Sequence, residues 1–225
     1  MRTRKLTVVQ VPLVTAVLLL ASQIALAGKY NETLSIGDAA PAWSELPAAA
    51  DDAKHSLVDL KDAEVVVVVF TCNTCPTAVA YEDPLIALAK RYGDVDKEDS
   101  AQAAESGSKK PRVVFVAINV NKVKEDLLPA MKNRAEKKEF PYPYLYDESQ
   151  QIAKRFGAVF TPEFFVLDRD RKVVYMGAMD AKEGAEIATS YVAAAIDAAL
   201  VGKTPEVTET PARGCRIRFV RERRK

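Results

Sequence analysis

Val65-Val66-Val67-Val68-Val69-Phe70-Thr71-Cys72-Asn73-Thr74-Cys75-Pro76 is the stretch on which the fold turns. Residues 65 to 70 are all large and apolar, which leaves the segment no polar face, and a strand of that kind is stable only inside a sheet covered on both sides. A turn with two cysteines follows at once. After it comes a helical pattern to about Tyr92, with Val79, Leu85, Leu88 and Tyr92 as its inner face and Pro84 as an interruption. This order predicts Cys72 at the junction of a central strand and a helix N-terminus. Unsatisfied backbone N–H groups and the helix dipole favour an anion there, and a thiolate is such an anion. Placement of this kind lowers a thiol pKa from about 8.5 into a range of roughly 3.5 to 7.5. Cys75 is then within a turn of Cys72, so an exposed Cys72 is expected to attack a substrate disulfide and a half-covered Cys75 to displace it from the mixed disulfide. An inert disulfide and half of a zinc site are the competing readings. The second would need Cys215 and His55, both distant in sequence and in no paired ligand spacing.

Working outward, Arg112 to Asn119 reads as a second buried strand. It is followed by a charged helix from about Lys124 to Glu139 with Leu127, Leu128 and Met131 inside. Phe140 to Asp147 is aromatic, and Glu148 to Phe156 is a short helix closed by Gly157. Glu163 to Leu167 and Lys172 to Met176 form a hairpin around Asp168-Arg169-Asp170-Arg171, and a last helix from about Lys182 to Leu200 buries Ile187, Tyr191, Ala194 and Ala198. Ser56 to Leu60 is expected to be a short strand. The class is α/β, a central mixed sheet covered by helices on both faces. Gly93 to Pro111 is rich in Asp, Glu, Ser, Ala and Lys and reads as a surface insertion.

The two ends differ from this domain, which spans residues 28–200. Arg2, Arg4 and Lys5 precede the apolar run Leu13 to Ala21, and Ala25-Leu26-Ala27 is a small-x-small site, so residues 1–27 are expected to be a signal peptide. The apolar run falls short of the roughly 20 residues of a membrane span. The expectation is an exported protein, periplasmic or extracellular, in a compartment where disulfides persist. Residues 201–225 read as an extended linker, Pro205 to Pro211, and a basic tail in which Arg213 to Lys225 holds seven Arg or Lys against one Glu. Within it Cys215, Ile217 and Phe219 alternate with arginines, as in a half-buried strand. That strand could dock on the domain and bring Cys215 to the dithiol. Cys215 is then either a third redox thiol or a buried cysteine in a packing strand.

Composition narrows the classes. The chain has 225 residues, 48% of them hydrophobic, enough for a real core, and a formal net charge of +1, which excludes the cationic footprint of a typical nucleic-acid binder. Its 3 Cys are too few for a disulfide framework, and a single His argues against a His-rich metal centre. No metal and no organic cofactor is expected.

The strand Val65 to Phe70 with Cys72-Asn73-Thr74-Cys75-Pro76, followed by Phe160-Thr161-Pro162-Glu163-Phe164-Phe165, resembles the thioredoxin superfamily. The lead-in Ile36-Gly37-Asp38-Ala39-Ala40-Pro41 and the block Tyr142-Pro143-Tyr144-Leu145-Tyr146-Asp147 to Thr161-Pro162 are similar to its secreted redoxin group, related to alkyl hydroperoxide reductases and thiol-specific antioxidant proteins. The resemblance spans about Ser35 to Leu200. It implies a thioredoxin-like fold, a cis Pro162 facing the dithiol, and a Thr161 whose amide and carbonyl pair with an extended substrate strand. It also has departures. Thr71 stands where thioredoxins carry Trp, Asn73-Thr74 replaces Gly-Pro, Arg171 occupies a hairpin position where Gly is frequent, and Val69 holds the place of the Thr or Ser that peroxiredoxins have before the peroxidatic Cys.

The expected activity is thiol-disulfide exchange through Cys72 and Cys75, with Thr161 and Pro162 ordering the substrate. Protein thiols and disulfides and an electron-donor or acceptor redox protein are the expected partners. Glu163, next to Pro162, is a candidate to influence Cys72 protonation. A thiol-dependent peroxidase and a non-catalytic binding or metal-delivery module are the alternatives.

Overall fold

Every side chain of β3 (Val65–Phe70) is buried. The cause is its place in the middle of a five-stranded sheet. The structure is a computed structural model that describes residues 28–50, 53–98, 112–181 and 190–220, the side chains of 94–98 excepted. The proposed signal peptide, residues 99–111 of the insertion, Ile187 and the terminal 221–225 lie outside the described residues.

β4 (Val113–Asn119) runs parallel to β3, and β5 (Tyr144–Tyr146) runs parallel to β4. On the other side β7 (Glu163–Leu167) is antiparallel to β3, and β8 (Val173–Gly177) is antiparallel to β7. The sheet is therefore mixed. Side-chain alternation splits β3 between two cores. Val65, Val67 and Val69 pack with α2 (Glu82–Glu98), α3 (Leu128–Lys138) and α5 (Tyr191–Leu200). Val66, Val68 and Phe70 pack with α4 (Gln151–Phe156), Trp43, Leu57 and Ile217. On this second face Phe70, Phe156 and Phe165 meet edge-on, with ring centroids 5.1 to 5.8 Å apart. Each such pair adds about 1 kcal/mol beyond burial. Phe70 pairs with Glu163 in the β3/β7 register, so Pro162 sits beside the strand end that leads to Cys72.

Several local expectations are corrected. Ser56 to Leu60 is not a strand but a 3₁₀ turn, Leu57–Leu60. Ser56 N–H donates to Asp59 Oδ2 at 2.7 Å in a capping box, which favours a helical turn, and the short strand pair is β1 (Leu46–Pro47) with β2 (Lys54–His55). The helix after the dithiol is two helices, α1 (Pro76–Ala80) and α2, broken at Tyr81. Pro84 has no N–H to bond the carbonyl of Ala80, so it is accommodated in the first turn of a new helix that starts just before it. The charged segment begins as a 3₁₀ turn, Lys124–Asp126, before α3, where Met131 is buried and Leu127 and Leu128 are partly covered. In α5 the buried residues are Val192, Ala193, Ala195 and Ile196, whereas Ala194 is exposed. An alanine-rich helix lacks the contrast needed to phase its faces.

Residues 205–211 are docked rather than a free linker. Met176 N–H donates to Thr208 O at 3.0 Å and Thr210 N–H to Met176 O at 3.1 Å, which extends the sheet beyond β8. Gly177, at φ +134°, permits this approach, since a Cβ there would lie 2.2 Å from Thr210 O. Arg171 stands at φ +60°, a left-handed conformation that costs a non-glycine residue about 1 kcal/mol. Its guanidinium donates to the carbonyls of Asp168, Arg169, Leu60 and Ala63, and these bonds hold an arginine where glycine would otherwise serve.

Candidate active site

The loop between β3 and α1 carries both cysteines. Cys72 and Cys75 are 3% and 1% exposed, so neither is the open thiol expected of Cys72. The helix geometry also differs. α1 starts at Pro76 with Cys75 as its N-cap, and Cys75 Sγ accepts the Ala78 N–H at 3.4 Å. The dipole end of the helix therefore lies at Cys75, three residues beyond Cys72.

Acidity follows this arrangement. Burial pushes the Cys72 thiol above its ordinary pKa, the Thr161 hydroxyl offsets part of the rise, and the charge of Asp126 adds to it. This is a correction to the expected lowering. For Cys75, burial also acts upward, but hydrogen bonds from the Cys215 thiol, the Ala78 N–H and Thr161 outweigh it and hold the group below its ordinary value. The more acidic sulfur is Cys75.

The Thr161–Pro162 peptide bond is cis. It brings Thr161 onto both sulfurs: its hydroxyl is 3.4 Å from Cys72 Sγ, and its carbonyl oxygen accepts from the Cys75 thiol at 2.9 Å. Thr161 is 2% exposed, and its strand edge is already paired. β6 (Phe160–Thr161) binds β9 (Cys215–Arg216) antiparallel, with Thr161 opposite Cys215. Cys215 N–H donates to Cys75 Sγ at 3.4 Å. Docking of the tail against the dithiol is thus observed, but the reading of Cys215 as a buried packing cysteine is not, because the residue is exposed. Ile217 is buried in its place, and Arg216 lies over the Phe160 ring at 5.2 Å.

Glu163 is buried and turned to a different task. Its Oε2 accepts the N–H groups of Val159 and Phe160 at 2.8 and 3.0 Å, which shapes the approach to Thr161. Burial raises its pKa, and these two bonds lower it in part. The carboxylate whose charge acts on Cys72 is instead Asp126.

Asp126 is the residue that sequence reasoning missed. Fully buried, it accepts Asn73 N–H at 2.8 Å, Thr74 N–H at 3.0 Å, the Thr74 hydroxyl at 2.7 Å and the Asn121 amide at 3.0 Å. It fixes the two residues between the cysteines from below. Tyr144 adds a bond from its hydroxyl to Asn73 Oδ1 at 3.0 Å. The one available signal was that Asn73-Thr74 offers side-chain donors and acceptors where Gly-Pro would offer none. A narrow apolar crevice lined by Thr71, Cys72, Tyr81, Tyr144, Pro162 and Phe164 leads to the first sulfur. Among the described residues no group of three or more His, Cys, Asp and Glu is placed to hold a metal ion, and no helix is long and apolar enough to cross a membrane.

Known proteins resemble this chain over most of its length. Residues 35–195 match the family model described as Redoxin. An uncharacterized conserved protein from Geobacillus kaustophilus is 32% identical over 85% of this chain and 96% of its own, with a TM-score of 0.72. A hypothetical protein from Sinorhizobium meliloti is 30% identical over 84% of this chain and 97% of its own, with a TM-score of 0.71. A peroxidoxin from Mycobacterium tuberculosis, 22% identical over 75% of this chain and 95% of its own with a TM-score of 0.50, shares the fold. No protein of curated function matches the chain. The α/β, thioredoxin-like fold expected from the sequence is the fold observed.

Proposed function

The chain belongs to the redoxin family, and from that premise we propose that it is a thiol-disulfide oxidoreductase whose redox couple is Cys72 and Cys75. The observation that carries the reading is the convergence of both sulfurs on Thr161, 3.4 Å from its hydroxyl and 2.9 Å from its carbonyl oxygen, at the mouth of a central strand. In the proposed exchange Cys72 Sγ, having lost its proton, attacks one sulfur of a substrate disulfide, and the other leaves as a thiolate. Cys75 Sγ then attacks Cys72 Sγ, so the substrate's second thiol departs and the Cys72–Cys75 disulfide remains. Two electrons pass from the pair to the substrate. The acidity order favours the second step, since the lowered pKa of Cys75 raises the thiolate fraction of the displacing sulfur, whereas burial of Cys72 works against the first.

Cys72→Ser is expected to abolish turnover of a protein disulfide, and Cys75→Ser to accumulate a mixed disulfide at Cys72 that mass spectrometry detects. Full turnover by Cys72→Ser contradicts the proposal. A second reading, a thiol peroxidase, draws on the burial of Cys72 at the end of a crevice that admits a small oxidant more readily than a peptide. Val69 in the position of a peroxidatic Thr or Ser weighs against it. Peroxide consumption coupled to a dithiol donor separates the two. The proposed setting is an oxidising compartment outside the cytoplasm, supported by the signal-like pattern of Met1 to Ala27.

A further inference from the structure

Cys215 arrives at the site by a fixed route. Upstream, residues 208 to 210 run along β8. Downstream, Ile217 is buried under the sheet, and Gln150 holds the chain on both sides, donating to Arg218 O at 3.0 Å and accepting Val220 N–H at 2.8 Å. Arg218 N–H adds a bond to Asn121 Oδ1 at 3.2 Å. Between these anchorages β9 crosses the dithiol, and one residue makes the crossing feasible. Gly214 has φ +147°, and a Cβ on it would lie 2.0 Å from Thr161 O.

The chain thus lays an extended cysteine-bearing strand on Thr161, with Cys215 opposite Thr161 in register and its own amide on Cys75 Sγ. An exchanging substrate would need the same contacts. Of the three sulfurs, those of Cys72 and Cys75 belong to buried residues and Cys215 alone to an exposed one. We infer that Cys215 is a third redox thiol of this protein, an intrachain exchange partner of Cys75 that carries the disulfide from the buried pair to the surface, where a regenerating thiol can reach it. The inference rests on the dithiol reading above.

The step balances without an external oxidant. Once Cys72 and Cys75 form a disulfide, the Cys215 thiol gives its proton to solvent and its sulfur attacks Cys75 Sγ. The Cys75–Cys215 bond forms, the Cys72–Cys75 bond breaks, and Cys72 leaves as a thiolate that takes up a proton. No electrons enter or leave the chain. The reduced and oxidised states also differ in a useful direction. In the reduced site the hydrogen bond to Cys75, some burial, and the charges of Cys75 and Cys72 push the Cys215 pKa up to about 11. Oxidation removes the charges of both partners, so Cys215 becomes the stronger nucleophile when exchange is required.

The test uses the purified protein beside its Cys72→Ser, Cys215→Ser and Gly214→Ala variants, each oxidised with hydroxyethyl disulfide, acid-quenched and mapped as non-reduced peptides. The expected wild-type products are Cys72–Cys75 and Cys75–Cys215 disulfides together, with Cys75–Cys215 the main product of Cys72→Ser. Gly214→Ala keeps all three sulfurs, and it is expected to retain Cys72–Cys75 while losing Cys75–Cys215 at least tenfold. Formation of Cys72–Cys75 with no Cys75–Cys215 in either wild type or Cys72→Ser overturns the relay and leaves the dithiol reading intact. Absence of Cys72–Cys75 from every sample overturns the dithiol reading, and the relay falls with it.

Discussion

Two walls enclose the dithiol, and they are built on opposite principles. The inner wall, from Asn119 to Asp126, is a buried polar network in which one carboxylate receives four hydrogen bonds. The outer wall, residues 212 to 220, is backbone pairing, one buried isoleucine and a glutamine clamp. A buried charge whose partners are removed cannot relax into water, so the inner wall is rigid and its loss is expensive. The outer wall is held by a few hydrogen bonds and two apolar side chains, Ile217 and Phe219, so it is expected to open at lower cost. The inner wall fixes the redox pair, and the outer one carries the exposed thiol.

The largest effect separates chemistry from both walls. Cys72→Ser is expected to lower turnover of a disulfide substrate on the order of a thousandfold or more, with the melting temperature nearly unchanged, as read by coupled kinetics and calorimetry. Next comes the inner wall. Asp126→Ala leaves the donors of Asn73, Thr74 and Asn121 without their acceptor, so denaturant unfolding should show a loss of about 3 kcal/mol. Asp126→Asn removes the charge with little change of shape. Since that charge raises the Cys72 pKa, the alkylation profile of Cys72 should move to lower pH in this variant.

The outer wall should respond more gently. Ile217→Ala is expected to cost less than the roughly 2 to 5 kcal/mol of a core Ile→Ala change, because the strand opens locally instead of leaving a cavity. Hydrogen exchange of the Ile217, Arg218 and Val220 amides should accelerate while that of β3 stays slow. Loss of β3 protection in this variant would show that the two walls are one cooperative unit. The smallest effect concerns Glu163. Its folded pKa is raised by burial, so its contribution to stability is fully present below the ordinary carboxylate pKa and is lost as pH rises through the folded value. Relative to wild type, Glu163→Gln should therefore gain stability as pH rises above the ordinary carboxylate value of about 4.3, as chemical denaturation at each pH would show.

The two walls also differ in how far the sequence exposes them. The outer wall could be read in part, because Cys215, Ile217 and Phe219 alternate with arginines and a period of two is a local signal. The central sheet could be read for a similar reason, since six apolar residues in a row admit one environment. The inner wall could not. Asp126 lies in Lys124-Glu125-Asp126, a charge run of the kind that usually faces solvent, and its partners at 73 and 74 are some fifty residues away. The burial of Cys72 is not legible locally, because Thr161, whose hydroxyl meets its sulfur, is 89 residues away. The assignment of the dipole end to Cys72 failed on a local point: Pro76 fixes the first turn of α1 and makes Cys75 the cap.

The most direct test of the central claim is an equilibrium titration of the Cys215→Ser protein against glutathione redox buffers, with each cysteine read separately by mass-tagged alkylation. The account predicts that Cys72 and Cys75 lose reactivity together, along one two-electron curve, through a disulfide that joins them. If the thiol at position 72 stays alkylatable at the most oxidising buffer while its neighbour is consumed, the two sulfurs are not a redox couple and the proposed activity is wrong.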